Sequence, residues 1–229
     1  MKKIKLWLHL LLRAWRDAVS GMAFSHAGGP ERKLAHTISV SQPFTHSATL
    51  EQKKHNLRLA AGRIARHTVR PGEVFSFWRA VGNPNSSQFK DSRSIIGGKL
   101  QIERGGGLCQ ASGIIYHLSL IAGLEIVERH NHSVDLYTEE TRFCPLGSDA
   151  TVSYGHKDLR VRNNTGATIR FELQVLEDEF VGQLLSDTPI ESHHITFERE
   201  SGRGGTLVAR TIDHSLGKTI AVSTYQPLH

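Results

Sequence analysis

Cys109 and its neighbours hold most of the chemistry that can be read from this 229-residue chain. Three glycines, Gly105-Gly106-Gly107, run into Leu108-Cys109-Gln110 and then an apolar stretch from Ala111 to Leu124. That stretch predicts a helix with Cys109 in its first turn, where unpaired backbone N–H groups and the helix dipole favour negative charge. A thiol so placed ionises more readily, and the thiolate is the reactive form. At about 100° per residue, Ala111, Ile114, Ile115, Leu118, Ile121 and Ala122 share one stripe, the expected core face. Cys109 falls on the other side with Ser112, Gly113, Tyr116 and Leu120, and the small Gly113 leaves room above the thiol. The competing role for a cysteine, a small core hydrophobe, fits poorly off the apolar stripe.

A thiolate nucleophile needs a base or an ion-pair partner, usually histidine. Glu125 to Arg129 alternates and is β-branched in its middle, so it predicts a strand, and it ends in His130-Asn131-His132-Ser133. One helix, a turn at Gly123 and a returning strand fit between Cys109 and His132, which can bring an imidazole back to the helix start. Side chains alternate along a strand, so His130 and His132 are expected on one side, and either can be the partner. Asp149 is the candidate third member, holding an imidazole N–H and orienting the ring; Asp135 is the alternative. Gly106, Gly107 and Gln110 are the candidate substrate and oxyanion side. Glycines let a ligand's backbone approach, and N–H groups near Cys109 can receive an oxyanion. The Gln110 side chain should point about 100° away from Cys109 on a helix.

Several of these segments together resemble the VanW family. The stretches that carry the likeness are Pro71-Gly72-Glu73-Val74-Phe75-Ser76-Phe77-Trp78, Gly105 to Gln110, Glu128-Arg129-His130-Asn131-His132-Ser133, Gly147-Ser148-Asp149-Ala150-Thr151 and Asp158-Leu159. They stand in family-like order and spacing across roughly residues 50 to 185. The family takes its name from an accessory product of glycopeptide-resistance clusters. VanW domains of some larger cell-wall proteins are linked to L,D-transpeptidase activity on peptidoglycan, with the motif cysteine as nucleophile. The resemblance therefore implies acyl transfer at Cys109, with a peptidoglycan stem peptide as donor, a neighbouring stem amine as acceptor and no cofactor. The alternative function is a non-catalytic wall or membrane accessory that binds stem peptide or glycopeptide without turning it over.

The rest of the chain frames that site. The formal net charge is +6, which suits anionic surfaces such as membrane lipid or wall polymers. No zinc-finger, RNA-binding or helix-turn-helix signature is present, and nucleic acid is not an expected partner. The two cysteines, Cys109 and Cys144, are no disulfide framework. With His130 and His132 they match no common zinc spacing, so no metal site is expected.

Residues 1–22 predict a basic amphipathic helix. Ile4, Trp7, Leu8, Leu11, Trp15, Ala18, Val19 and Met22 fall on one face, and Lys2, Lys5, His9, Arg13, Arg16 and Ser20 on the other. Such a helix either lies in a membrane interface or docks its stripe on the protein's own core. Lys2-Lys3 suits a signal peptide, but His9 breaks the apolar run and Arg13 stops it. A membrane or envelope location is favoured over a purely cytoplasmic one. Residues 23–49, rich in Ser, Thr, His and Gly, read as a linker or arm. A VanW-like domain is assigned to 50–185, with a helix over Leu50–Thr68, a strand over Val74–Trp78, a polar loop over Gly82–Ser94 and a hairpin turn at Ile95–Leu100. Strands are expected at Asp149–Tyr154, and a meander from Leu159 to Leu185. Residues 186–229 are assigned as a C-terminal β extension behind the site. The fold class is α+β, with one or two buried helices packed on a mostly antiparallel sheet.

Overall fold

The computed structural model describes residues 2–28, 33–96, 99–135 and 142–226. Among the described residues the α-helices are α1 (Lys2–Val19), α2 (Leu50–Ile64), α3 (Phe77–Val81) and α4 (Leu108–Ile121). The strands are β1 (His26–Ala27), β2 (His36–Pro43), β3 (His67–Val69), β4 (Val74–Ser76), β5 (Asp91–Ile96), β6 (Lys99–Arg104) and β7 (Glu125–Glu128). They continue as β8 (Arg160–Arg162), β9 (Ile169–Val175), β10 (Glu179–Ser186), β11 (Ile195–Ser201), β12 (Leu207–Asp213) and β13 (Lys218–Tyr225). All strand pairs in the named sheets are antiparallel. The architecture is α+β, with α2 and α4 buried on a sheet ordered β1-β3-β9-β10-β2.

Alternation explains how the helices seat. Along β10 every second residue is buried, Phe180, Gly182, Leu184 and Ser186, and this face receives α4. A Cβ on Gly182 would stand 2.9 Å from Ile114 Cγ1, so this glycine lets the helix close on the strand. From α2, Leu57, Ala60, Ala61 and Ile64 complete the same core with Ile114, Ile115, Leu118, Phe171 and Phe180. Burial on α4 is wider than one stripe. Ser112, Gly113, Tyr116 and Leu120 are also buried, because the chain packs on the far side of the helix as well.

Several expectations are corrected. The 23–49 arm contains a full strand: β2 pairs along its whole length with β10, and its polar residues belong to an edge strand with one exposed face. The helix starting at Leu50 ends at Ile64, because His67 and Val69 are buried in β3 and pair with β1 and β9. The strand at Val74 ends at Ser76. The Ser76 hydroxyl accepts from the Arg79 N–H at 3.3 Å and starts the short α3, so Phe77 is buried from a helix and not a strand. The polar loop yields at Asp91 to β5, whose partner is β6. Asp149–Tyr154 forms no strand. The meander is split, since β8 pairs with β4 and β7 while β9 pairs with β3 and β10. Residues 186–229 do not extend the central sheet; β11-β12-β13 is a sheet of its own.

The N-terminal helix is seated the opposite way from core docking. Arg13 and Asp17 face the body, with Leu6 and Leu10 against Gly155. Arg13 forks onto Glu128 at 3.1 and 2.7 Å, and Asp17 takes Arg160 at 2.6 and 3.1 Å and Arg79 at 2.9 Å. Ile4, Trp7, Leu8, Leu11, Leu12, Trp15 and Val19 remain 51–68% exposed. Among the described residues, no helix is long and apolar enough to cross a membrane.

Candidate functional site

The start of α4 is built by its glycines. Gly107 caps the helix at φ +93°, and a Cβ there would lie 2.5 Å from Lys53 Cγ, so the lysine stem rests directly on the cap. Gly106 has a different duty. It is buried against the backbone of Ser92, where a Cβ would come within 2.2 Å of the carbonyl oxygen, and its N–H donates to Glu103 O at 3.1 Å. Gly106 is thus a packing residue and not an oxyanion donor, because its donor is already used. The Gln110 N–H donates to Gly107 O at 3.0 Å. Among the described residues, the Leu108 and Cys109 N–H groups meet no acceptor, as expected of a first turn.

Cys109 is partly accessible at this helix start and lines a cavity of about 430 Å³. Its sulfur lies 3.7 Å from Thr151 Oγ1 and 3.9 Å from Val152 O. His132 lines the same cavity, and it is the strongest influence lowering the Cys109 thiol. His132 Nδ1 donates to Asp149 Oδ2 at 2.7 Å, since an ionised carboxylate only accepts, and this leaves Nε2 for the sulfur. The His132 backbone N–H donates to the same oxygen at 2.7 Å, which fixes ring and backbone together.

The electrostatics follow from these contacts. Burial pushes the Cys109 thiol up, but hydrogen bonding and charge from His132 outweigh it, and the thiol is held below its ordinary value. Burial alone would pull His132 down; Asp149 and the Cys109 sulfur raise it to about 10. Burial opposes ionisation of Asp149 too, yet His132, Arg129 and Tyr225 bring it down to about 2. A thiolate–imidazolium pair backed by a carboxylate is the state this arrangement favours.

Arg129 and Tyr225 hold the carboxylate. Arg129 Nε donates to Asp149 O at 2.8 Å, and Nη2 donates to Asp149 Oδ1 and Gly147 O, each at 3.0 Å. Its Nη1 donates to Ser223 Oγ at 2.6 Å, and its guanidinium lies 4.8 Å from the centre of the Tyr116 ring. The Tyr225 hydroxyl donates to Asp149 Oδ1. Ser112 Oγ donates to Ala150 O at 2.6 Å, tying the 147–151 segment to α4. That segment fills the space beside Gly113, where a Cβ would sit 3.7 Å from Ala150 N. The room expected above Gly113 is therefore occupied by the segment that carries Asp149.

The other sequence candidates lie elsewhere. His130 does not share a side with His132, because the strand ends at Glu128; its Nε2 turns to Glu128 Oε1 at 3.1 Å, in the cluster that anchors α1. Asp135 pairs with Arg142 at 3.2 and 2.6 Å and leaves the imidazole to Asp149. Gln110 lines the cavity with Cys109 despite its helical offset. Sequence reasoning missed Arg129, Tyr225, Thr151, Lys53 and Gln42. Arg129 and Thr151 stood inside the quoted motifs, whereas the other three stood in none of them. Among the described residues, no three His, Cys, Asp or Glu side chains converge in a metal-ligating cluster.

A cysteine at a helix start and a histidine backed by a buried carboxylate, all at the wall of one cavity, make this a candidate thiol site on an α+β frame. The comparisons with known proteins agree on where it belongs. The family described as VanW like protein matches residues 52–185, from α2 to the end of β10, and the chain belongs to that family. It is 35% identical over 159 residues to the vancomycin B-type resistance protein VanW of Enterococcus faecalis, covering 66% of this chain and 58% of the relative. It is 33% identical over 163 residues to the uncharacterized protein YoaR of Bacillus subtilis, covering 69% of this chain and 52% of the relative. The matched region thus spans little more than half the length of these relatives. No solved structure matches the chain.

Proposed function

We propose that this protein is a cysteine-dependent acyltransferase of the cell envelope that acts on peptidoglycan stem peptides in the manner of an L,D-transpeptidase. The observation that carries the reading is the Cys109–His132–Asp149 arrangement at the wall of a cavity large enough for a short peptide. The E. faecalis relative, a vancomycin B-type resistance protein, supports a target in the wall. The thiolate attacks a peptide carbonyl carbon. The oxyanion that forms is received by the free N–H groups at Leu108 and Cys109. The C–N bond then breaks, and the His132 imidazolium gives its proton to the departing amine, leaving a thioester on Cys109. An acceptor amine attacks the thioester and passes its proton to His132, and the thiolate leaves. Asp149 keeps the ring oriented through both halves.

The test is mass spectrometry of the purified protein with a synthetic stem tetrapeptide. A covalent adduct on Cys109, absent in Cys109→Ala, is expected, with turnover in the variant lowered about 10⁴-fold or more. Undiminished product in Cys109→Ala, or binding with no adduct in the parent, would sink the enzyme and leave the accessory reading.

We further propose that α1 carries the protein on a membrane surface. The outward face offers Trp7 and Trp15 among aliphatic side chains, with Lys5 and Arg16 exposed beside them. Vesicles containing anionic phospholipid should sediment with the protein, and Trp7→Ser with Trp15→Ser should weaken binding about tenfold or more. Equal sedimentation of parent and double variant would remove this surface.

A further inference from the structure

Two glutamines give the cavity a character that the cysteine chemistry does not explain. Gln42 on β2 is 2% exposed and Gln110 on α4 is 4% exposed. Both line the Cys109 cavity. Among the described residues, neither amide has a hydrogen-bond partner for its oxygen or its nitrogen. Buried polar atoms in folded proteins are almost always paired, so two unpaired amides on residues that line one cavity call for an occupant. The side-chain amide offers what a peptide group needs. Its carbonyl accepts from a peptide N–H while its NH₂ donates to a peptide carbonyl. The two come from different elements and meet the same space, as two grips on one extended chain would.

Lys53 adds a charge. Its stem lies on the Gly107 cap, two residues from Cys109, and its ammonium is 5.6 Å from the centre of the Phe44 ring and 5.5 Å from that of Phe143. Among the described residues no carboxylate lies within ion-pair distance of it. Burial, with the nearby Arg93, draws its pKa down to about 8, so it still carries charge at neutral pH. Cys109 and Cys144 are the anionic groups near it, and a cation beside the nucleophile with no carboxylate partner of its own is a place for one on a ligand.

We propose that Gln42, Gln110 and Lys53 form the donor subsite, which holds a short peptide with a free terminal carboxylate: the two amides pair with its peptide groups, and the lysine takes its carboxylate. This rests on reading the Cys109 cavity as the place of acyl transfer. The subsite makes the reaction one that works at a peptide's end. It selects donors by the terminal carboxylate and not by length alone.

The test is calorimetric titration of full-length Cys109→Ala protein with a synthetic stem tetrapeptide and with its C-terminal carboxamide. The free acid should bind about tenfold tighter than the carboxamide, and Lys53→Met should erase that preference. Gln42→Met and Gln110→Met should each weaken both peptides about tenfold, with melting temperatures unchanged or raised, since an unpaired buried amide is lost. The proposal is overturned if either glutamine variant binds as the parent does, or if its melting temperature falls. It is also overturned if Lys53→Met keeps the preference, or if neither peptide binds. The adduct assay on Cys109 separates the two claims. No adduct with the binding pattern intact removes the chemistry and leaves the subsite. Adducts formed at parent KM in the glutamine variants remove the subsite and leave the chemistry.

Discussion

Cys109 and Cys144 line the same cavity and are both free, yet they are driven in opposite directions. Burial raises both thiols. At Cys109, His132 more than cancels that effect. At Cys144, the partial relief from Ser148 and Arg142 is outdone by burial and by the carboxylates of Asp149 and Asp135, and the thiol is pushed up to about 11. Sharing a cavity therefore does not make a nucleophile. What differs is the surroundings: at a helix start an imidazolium lowers one thiol, while burial, with nearby carboxylates adding to it, raises the other.

The histidines teach the same lesson. His193 Nδ1 sits 2.6 Å from Asp213 Oδ2, as close as His132 to Asp149. Its ring packs over Gly123, where a Cβ would lie 2.5 Å from His193 Nε2, and neither cysteine is near it in the cavity lining. A histidine–aspartate pair becomes a candidate base only where a third group waits at the other ring nitrogen.

The contrast between the two cysteines can be broken most sharply at the histidine. His132→Gln should cut acyl transfer about 10³-fold, and it should slow alkylation of Cys109 toward the rate of Cys144. Iodoacetamide labelling followed by peptide mapping reads both sites at once. In the parent at pH 7, Cys109 should label about a hundredfold faster than Cys144, because a pKa near 11 leaves the second thiol almost wholly protonated. Equal labelling would erase the comparison. The Cys109 rate should reach half its maximum below the ordinary thiol range, since its pKa is lowered. The imidazolium partner should persist until pH rises to about 10.

Smaller effects sharpen the role of the carboxylate. Asp149→Asn should destabilise the fold by about 3 kcal/mol in denaturant titration, because Arg129 loses its ionic partner in a buried setting. The parent's stability should respond to pH with opposite signs from the two partners. Asp149, lowered to about 2, contributes fully above the ordinary carboxylate range and loses that contribution as pH falls toward 2. His132, raised to about 10, contributes fully below the ordinary imidazole range and loses it as pH rises toward 10. Tyr225→Phe should cost about 1 kcal/mol and leave labelling of Cys109 within a few-fold of the parent, since the hydroxyl supports the carboxylate and not the sulfur.

Periodicity carried much of the frame. The α4 helix with Cys109 in its first turn, the returning β7 and the α2 stripe all follow from local pattern, because one buried face writes its period into the sequence. Local pattern failed where partners are distant. The polar β2 is ordered by β10, far along the chain, and its composition alone resembles an arm. The Asp149 segment alternates like a strand, yet its backbone bonds go one at a time to His130 and Ser112. For α1 the apolar stripe was legible, but the side facing the body was not, because Glu128 and Arg160 supply the ion pairs that dock it.

The sequence by itself determined the candidate residue types, the helix start that carries the cysteine and the family to which the chain belongs, since each rests on short-range order in the chain. Only the tertiary structure decided between His130 and His132 and between Asp135 and Asp149. It also brought Tyr225, Lys53 and Gln42 to the wall of the Cys109 cavity. A ring's direction and a buried amide's lack of a partner are set by what packs against them from remote segments, and no spacing along the chain encodes that.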